Sequence, residues 1–485
     1  MNETLISSPF ARGQREKRAV KTRRRKLILA LLSLLGLSAA VLLWRPAQAQ
    51  SAGWTAPQLI FEGAGNINAP ALVADGYGQV HAFWMFQQDQ QVDRPQQQIY
   101  YTRLDQPTWP VNDIFIGSVT ASSIKAVMTV NGLTLLWGGN NVATASISPR
   151  ASAQDWSGPL ASEPTYPESG LATAPDGSLW MVYGALSSNE IFVQHLNPDT
   201  GRWEAPLLVG DPVNTNALPD GTRLAFSSDG TMHAVWVEYQ LPIGWPPVGL
   251  YYAQSTDGGH TWSGRHKIAG GGFNQPNVAT GPNQQVYLAW TGVAGSGDKV
   301  FQESLDNGHT WENSTVLLKG ANGIGGSEGA PNMAVDGAGN LHVVFSQNGC
   351  VWHTSREGKV WSAPECVSTG APAQSLIEDP AMALGLGNRL YVMFWTDRRQ
   401  LWVTTQLLPL AAQPMQAMPT APVPTLTPTS VPPTAIVTTT PLPDYGPPPQ
   451  PDQATAPGLW ALASGVAPVV VLVLAVATFR RPRRR

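Results

Sequence analysis

Apolar residues in this chain gather in short runs that close on an aromatic ring. The runs are Val80-His81-Ala82-Phe83-Trp84, Leu133-Thr134-Leu135-Leu136-Trp137, Leu179-Trp180-Met181-Val182-Tyr183, Met232-His233-Ala234-Val235-Trp236, Val286-Tyr287-Leu288-Ala289-Trp290, Leu341-His342-Val343-Val344-Phe345 and Leu390-Tyr391-Val392-Met393-Phe394. Their closing rings, at 84, 137, 183, 236, 290, 345 and 394, stand 46 to 55 residues apart. That interval is the size of one four-stranded propeller blade. A short strand and a Gly/Asp/Asn turn precede each run. A third strand, a second turn and a fourth strand, often opening on Trp, follow it. The pattern predicts an all-β fold, a β-propeller of seven blades, with six as the alternative. The last run is followed by a third strand, Leu401 to Leu407, and by nothing that would serve as a fourth. Trp54 to Phe61, ahead of the first blade, carries the fourth-strand pattern. Pairing first strand with last closes the ring and removes both sheet edges.

The turn after the third strand is most explicit in two places, Ser255-Thr256-Asp257-Gly258-Gly259-His260-Thr261-Trp262 and Ser304-Leu305-Asp306-Asn307-Gly308-His309-Thr310-Trp311. Asp at the head of such a turn accepts hydrogen bonds from the amides just after it. Gly258-Gly259 and Asn307-Gly308 tolerate positive φ, which a tight hairpin needs. The Trp is expected to fold over the turn as a small core of its own, and His260 and His309 to face solvent. Looser copies occur at Asn197 to Trp203 and at Ser355 to Trp361. Both full copies match S-x-D-x-G-x-T-W at every fixed position. On these turns and the blade period, residues 54 to 407 resemble the sialidase superfamily of Asp-box (BNR-repeat) propellers. In that family the box is structural, which assigns Ser255, Asp257, Gly259, Thr261, Trp262, Ser304, Asp306, Gly308, Thr310 and Trp311 to the scaffold. The family's catalytic members have six blades, so a seven-blade count departs from them.

Composition agrees with a turn-rich all-β chain: 47 Gly, 42 Pro and 18 Trp among 485 residues, with 13% charged. A net charge of -3 and the lack of a basic stripe in the repeats exclude a nucleic-acid partner. The two ends point to a membrane. Residues 1–49 hold a basic run from Arg12 to Lys26, an apolar stretch from Leu27 to Trp44 and the cleavage-like Ala47-Gln48-Ala49. They read as a signal peptide, with an uncleaved anchor as the alternative. The propeller occupies 50–410, and 411–457 is a Pro/Thr-rich stalk that would extend at ~3.1 Å per residue. Residues 458–479 carry no charge and are long enough for a transmembrane helix. The basic tail 480–485 marks the cytoplasmic side, placing the propeller outside the cell. Cys350 and Cys366, the only cysteines, flank the turn at Gly358. If Trp352 to Arg356 pairs with Val360 to Glu365 they face each other, as a disulfide in an exported protein would require.

The family this chain resembles places its ligand sites on the face opposite the box turns, near the central channel, where the second-to-third-strand loops and the blade-to-blade links lie. The sequence offers Arg94, Arg223, Arg398 and Arg399 there, with Asp93, Glu168, Glu238, Asp298, Glu328, Glu378, Asp379 and Asp397, and the aromatics Tyr166, Tyr239 and Trp245. A sialidase needs three arginines on one substrate carboxylate, a Tyr nucleophile activated by Glu, and an Asp acid/base. Arg223, Arg398 and Arg399 are the arginine candidates and Glu238-Tyr239 the nucleophile pair. Neighbours on a strand point to opposite faces, which argues against that pair. The family's F/Y-R-I-P motif is missing from the exported region. Trp245, on a Pro-stiffened loop, is a platform for a sugar or peptide, with Arg223, Tyr239 and Arg398 as further ligand contacts. His81, His233 and His342 recur at one blade position and read as inner structural residues; no metal or cofactor is expected. The reading is a membrane-anchored extracellular module that binds glycans or surface partners without catalysis. The alternatives are a sialidase-type exo-glycosidase and a scaffold for a cell-surface protein complex.

Overall fold

The computed structural model describes residues 53–410, apart from the internal stretches 89–96, 105–111, 114–122, 130–131, 138–140, 146–155, 157–159, 162–167, 211–215, 242–243, 271–272, 293–296, 321–329 and 372–376. The signal, stalk, transmembrane and tail segments expected at the two ends lie outside the described residues. The architecture is an all-β propeller. Among the described residues, seven antiparallel sheets follow one another in sequence order. We number them by their inner strands: sheet 1 from Gly65–Ala74, sheet 2 from Ile124–Thr129, sheet 3 from Gly170–Thr173, sheet 4 from Ala217–Phe226, sheet 5 from Phe273–Thr280, sheet 6 from Asn332–Val335 and sheet 7 from Ile377–Leu384. The outer strand of sheet 7 is Gln58–Glu62, which pairs with Gln400–Leu407 in the register Gln58↔Val403 to Glu62↔Gln400. First and last strands thus share one sheet, and Trp54 reaches on to sheet 6, its indole donating to Glu365 at 2.7 Å.

The aromatic-ended runs are the second strands, and in several every residue is buried, as in Met232 to Glu238 and Leu341 to Gln347. A strand covered on both faces reads as a continuous apolar run instead of an alternating one. The faces are covered by the neighbouring sheets. The core is divided into clusters that each join two consecutive sheets, from Phe83 with Leu135 between sheets 1 and 2 to Trp84 with Trp395 between sheets 1 and 7. Trp84, Trp236, Trp290 and Trp395 are fully buried, and truncating such a ring to Ala costs about 3–5 kcal/mol.

Both complete box turns adopt one hydrogen-bonding scheme, which differs in detail from the sequence expectation. The Ser hydroxyl, not the Asp, accepts from the Gly amide, at 2.9 Å for Ser255 and Gly259 and 2.8 Å for Ser304 and Gly308. The Asp instead holds the Thr through its amide and its hydroxyl, at 2.9 and 2.6 Å in the first copy and 2.8 and 2.6 Å in the second. Each Trp packs into a core shared with another sheet and makes no core of its own. Trp262 joins the cluster of sheets 3 and 4, and Trp311 meets Tyr252 of sheet 4 edge-on at 4.9 Å. Asn307 is buried against sheet 4, its amide oxygen accepting from Ser227 and its amide nitrogen donating to Asp229 and Thr231. His260 and His309 are exposed.

The repeated histidines are buried rivets between strands. His81 bonds Asp75 and Tyr101, His233 bonds Ser227 and Tyr252, and His342 bonds Asp336 and His353. Cys350 and Cys366 form a disulfide with a Cα separation of 5.9 Å. The register is offset from the expected one: Cys366 lies opposite Trp352, two residues from Cys350.

Candidate functional site

The first residues of the inner strands, at the end of the sheets away from the box turns, enclose a cavity of about 290 Å3. Every sheet lines it: Ala69 and Pro70 from sheet 1, Ser123, Ile124 and Lys125 from sheet 2, Glu168 at the entry to sheet 3, Arg223 from sheet 4, Gln275 and Asn277 from sheet 5, Ala330 and Asn332 from sheet 6, and Asp379 and Pro380 from sheet 7.

A repeated kink re-aims the wall residues of sheets 1, 4, 5 and 7. In four inner strands the ladder slips at one place, between Asn68 and Ala71, Asp220 and Arg223, Asn274 and Asn277, and Glu378 and Ala381. Each slip contains one left-handed residue: Ala69 (φ 49°), Gly221 (φ 60°), Gln275 (φ 51°) and Asp379 (φ 49°). A proline follows three of the four. Pro donates no ladder bond and so belongs at a bulge, and a bulge re-aims the side chains beside it. Three of the four are not glycine, and each carries about 1–3 kcal/mol of backbone strain. Held strain of this kind recurs around one cavity.

Sheets 3 and 4 approach closely at the wall. A Cβ on Gly170 would lie 2.8 Å from the Thr222 carbonyl, so only glycine permits this contact. The Thr222 hydroxyl stands 3.1 Å from the carbonyls of both Glu168 and Val182. Arg223, itself buried, is then placed to donate to the Glu168 carboxylate at 3.1 Å and to the Thr222 carbonyl at 2.8 Å.

Four charges share the cavity, Lys125 and Arg223 against Glu168 and Asp379. Burial opposes the ionised form of Glu168, but Arg223 and Lys125 outweigh it and hold its carboxyl below the usual range. Asp379 goes the other way: burial and the neighbouring Glu168 push it up, against the pull of Lys125 and Arg398. Burial and the repulsion of Arg223 bring the Lys125 ammonium down to about 8. Just behind the wall, burial pushes Asp220 up to about 6, with Glu168 adding to the effect. Two carboxyls of one site are thus driven apart, which is the usual signature of tuned groups.

Of the residues singled out from sequence, the structure brings Arg223, Glu168 and Asp379 to this cavity and leaves others elsewhere. Glu238 is fully buried behind the wall, taking bonds from the Trp236 indole at 3.0 Å and from Arg265 at 3.2 Å. Tyr239 points to the other side of the same strand and packs on the cluster of sheets 4 and 5, its hydroxyl pushed up by burial and by Asp220 and Glu168. Glu238 and Tyr239 therefore form no nucleophile pair. Arg398 is exposed on a tight turn, stacked over Trp395 at 5.5 Å, and Arg399 is exposed beside it. Neither joins Arg223 in a three-arginine clamp. The side chain of Trp245, like those of Arg94, Asp93, Tyr166, Glu328 and Glu378, lies outside the described residues. Among the described residues no group of three or more His, Cys, Asp or Glu is placed to hold a metal ion.

Lys125 escaped the sequence reading. Its signal is positional: Lys125, Arg223, Asn277 and Asn332 lie opposite Leu136, Val235, Ala289 and Val344, the next-to-last residue of their aromatic-ended runs. Counting back from the runs picks out a polar residue in these four sheets; the same position holds Ala71, Gly170 and Ala381 in sheets 1, 3 and 7.

No family model matches the chain, and no curated protein matches it. Solved structures of similar fold include a Dyadobacter fermentans protein of unknown function, 12% identical with a TM-score of 0.46 over 74% of this chain and 100% of that one. The polysaccharide lyase Uly1 is 12% identical with a TM-score of 0.49 over 70% of this chain and 90% of that one. Trypanosoma rangeli sialidase bound to the inhibitor DANA is 13% identical with a TM-score of 0.41, and the match covers 71% of this chain but only 55% of the enzyme. These likenesses concern the course of the chain alone.

Proposed function

We propose that this chain is a seven-bladed binding propeller, held outside the cell by its membrane-spanning end, that takes the end of a glycan into its central cavity without cleaving it. The observation that carries this reading is the cavity wall, to which each described sheet contributes and which four repeated bulges shape. Small-ligand sites are concave, preformed and oriented by a few polar groups. The engagement of Arg223 with Glu168 and the separation of Glu238 from Tyr239 count against sialidase chemistry.

One observation keeps a hydrolase or lyase as the second reading: Glu168 is held low while Asp379 is pushed up, as an acid and a base sharing a site would be. The full chain, purified in detergent, decides between them on a glycan array and against fluorogenic sialosides and other glycosides. Array binding that is lost in Asn332→Ala, with no turnover, is the expected result. Turnover abolished by Glu168→Gln would replace the binding reading with the enzyme.

A further inference from the structure

Lys125 and Asp379 face the cavity from sheets 2 and 7, on either side of sheet 1, whose Ala69 and Pro70 are uncharged. Among the described residues neither enters an ion pair, whereas the other two charges, Arg223 and Glu168, hold each other at 3.1 Å. The wall therefore presents one cation and one anion, near enough to attract each other but not ion-paired, to whatever occupies it. We propose that the occupant is a small zwitterion, which sets a carboxylate against Lys125 and an ammonium against Asp379; this rests on the cavity being the binding site.

Exclusion of the singly charged alternatives supports the assignment. A lone anion drawn to Lys125 also meets Glu168 and Asp379. A lone cation drawn to Asp379 also meets Lys125 and Arg223. Like charges facing each other at short range cost free energy that a single attraction does not recover. A ligand carrying both signs complements both groups at once. Gln275 and Asn332 line the rest of the wall and offer neutral donors and acceptors to the uncharged body of the ligand. A cavity of about 290 Å3 suits a molecule the size of one sugar or a short amino acid.

Titration follows from the same neighbours. Lys125 faces Arg223, Glu168 and Asp379, while Asp379 faces Glu168, Lys125 and Arg398. Asp220 couples to Glu168 and Arg223 from behind the wall. Burial and Arg223 leave Lys125 at about 8, so the ammonium needed by the ligand carboxylate is lost as pH rises past that value, and affinity falls.

The test is titration calorimetry of the full chain in detergent with β-alanine, 4-aminobutyrate and 6-aminohexanoate, and with butylamine and butyrate as singly charged controls. One amino-acid length should bind at least ten-fold more tightly than either control. That preference should vanish in Lys125→Met and in Asp379→Asn, both checked for an unchanged thermal melt, and affinity should fall from pH 7 to pH 9. Equal binding of a control would overturn the zwitterion. So would the absence of binding at every length while glycan-array binding persists and remains sensitive to Asn332→Ala, an outcome that leaves the cavity as the site. Silence toward both the amino acids and the array removes the two proposals together.

Discussion

The box turns and the cavity wall are built from the same repeat and have opposite character. At a box turn the polar groups are used up locally: Ser, Asp, Thr and Gly of one turn satisfy each other, and Asn307 adds three contacts into the next sheet. At the wall, Lys125 and Asp379 have no ion pair among the described residues, and the backbone beneath Asp379 is left-handed. Polar groups that are fully satisfied stabilise a fold, whereas charges without an ion pair keep capacity for a ligand. Position in the repeat decides which role a charged residue takes.

The contrast is broken most forcibly at the box turns. Gly308 has φ 87°, and a Cβ there would fall on the Tyr252 hydroxyl and lie 2.7 Å from its Cζ. Gly308→Ala is expected to destabilise by about 3 kcal/mol, combining a left-handed non-glycine residue with overpacking. Gly258, one position earlier in the other copy, has φ 71° and nothing within 4 Å of its would-be Cβ. Gly258→Ala should therefore cost only about 1 kcal/mol, and chemical denaturation of the pair would separate the two terms. A smaller difference than about 1 kcal/mol would mean that sheets 4 and 5 yield more easily than the contact implies.

At the wall, Arg223→Ala strips Glu168 of its donor and is expected to cost about 2 kcal/mol. Glu168→Gln/Arg223→Ala together should recover part of that loss, because the uncompensated carboxylate is gone. Equilibrium unfolding of the two single variants and the double variant measures the coupling, and additivity would show that the ion pair contributes nothing.

The histidine rivets respond to acid. Burial brings His233 and His342 down to about 4, with His353 contributing at His342. Between pH 6.5 and 4 the unfolded chain binds protons that the folded chain refuses, so stability is complete above pH 6.5 and declines as pH falls through that window. His233→Gln should flatten the decline in a thermal melt series, and an unchanged slope would assign the acid sensitivity to other groups.

Much of the fold was legible because its cause is local. A second strand buried between two sheets is mostly apolar, and a box turn at positive φ favours Gly or Asn; both leave marks in adjacent residues. The closing strand at Gln58–Glu62 was legible for the same reason. The wall was only partly so. Arg223 stands at a strand start and drew notice, but Lys125 belongs to the site only because a bulge-bearing ring of strands converges, a relation spread over some 250 residues. For Glu238-Tyr239 the pleat was the legible signal: neighbours on a strand face opposite ways, and the two side chains do lie on different sides of it.

The least disruptive change should discriminate best. Burial and Arg223 act against the Lys125 ammonium more strongly than Glu168 and Asp379 support it, since the group is brought down to about 8 from its ordinary 10.5. The folded state thus holds the proton less tightly than the unfolded one, and stability due to this group rises with pH between those values. Lys125→Met removes the charge, keeps the unbranched stem against the wall, and is expected to change stability at pH 7 by less than about 1 kcal/mol, on the favourable side. It should also erase the alkaline rise. A residue whose loss leaves the fold intact is free to serve the ligand proposed for the cavity. Loss of stability in Lys125→Met comparable to that in Gly308→Ala would instead make Lys125 part of the scaffold and dissolve the distinction between the two regions.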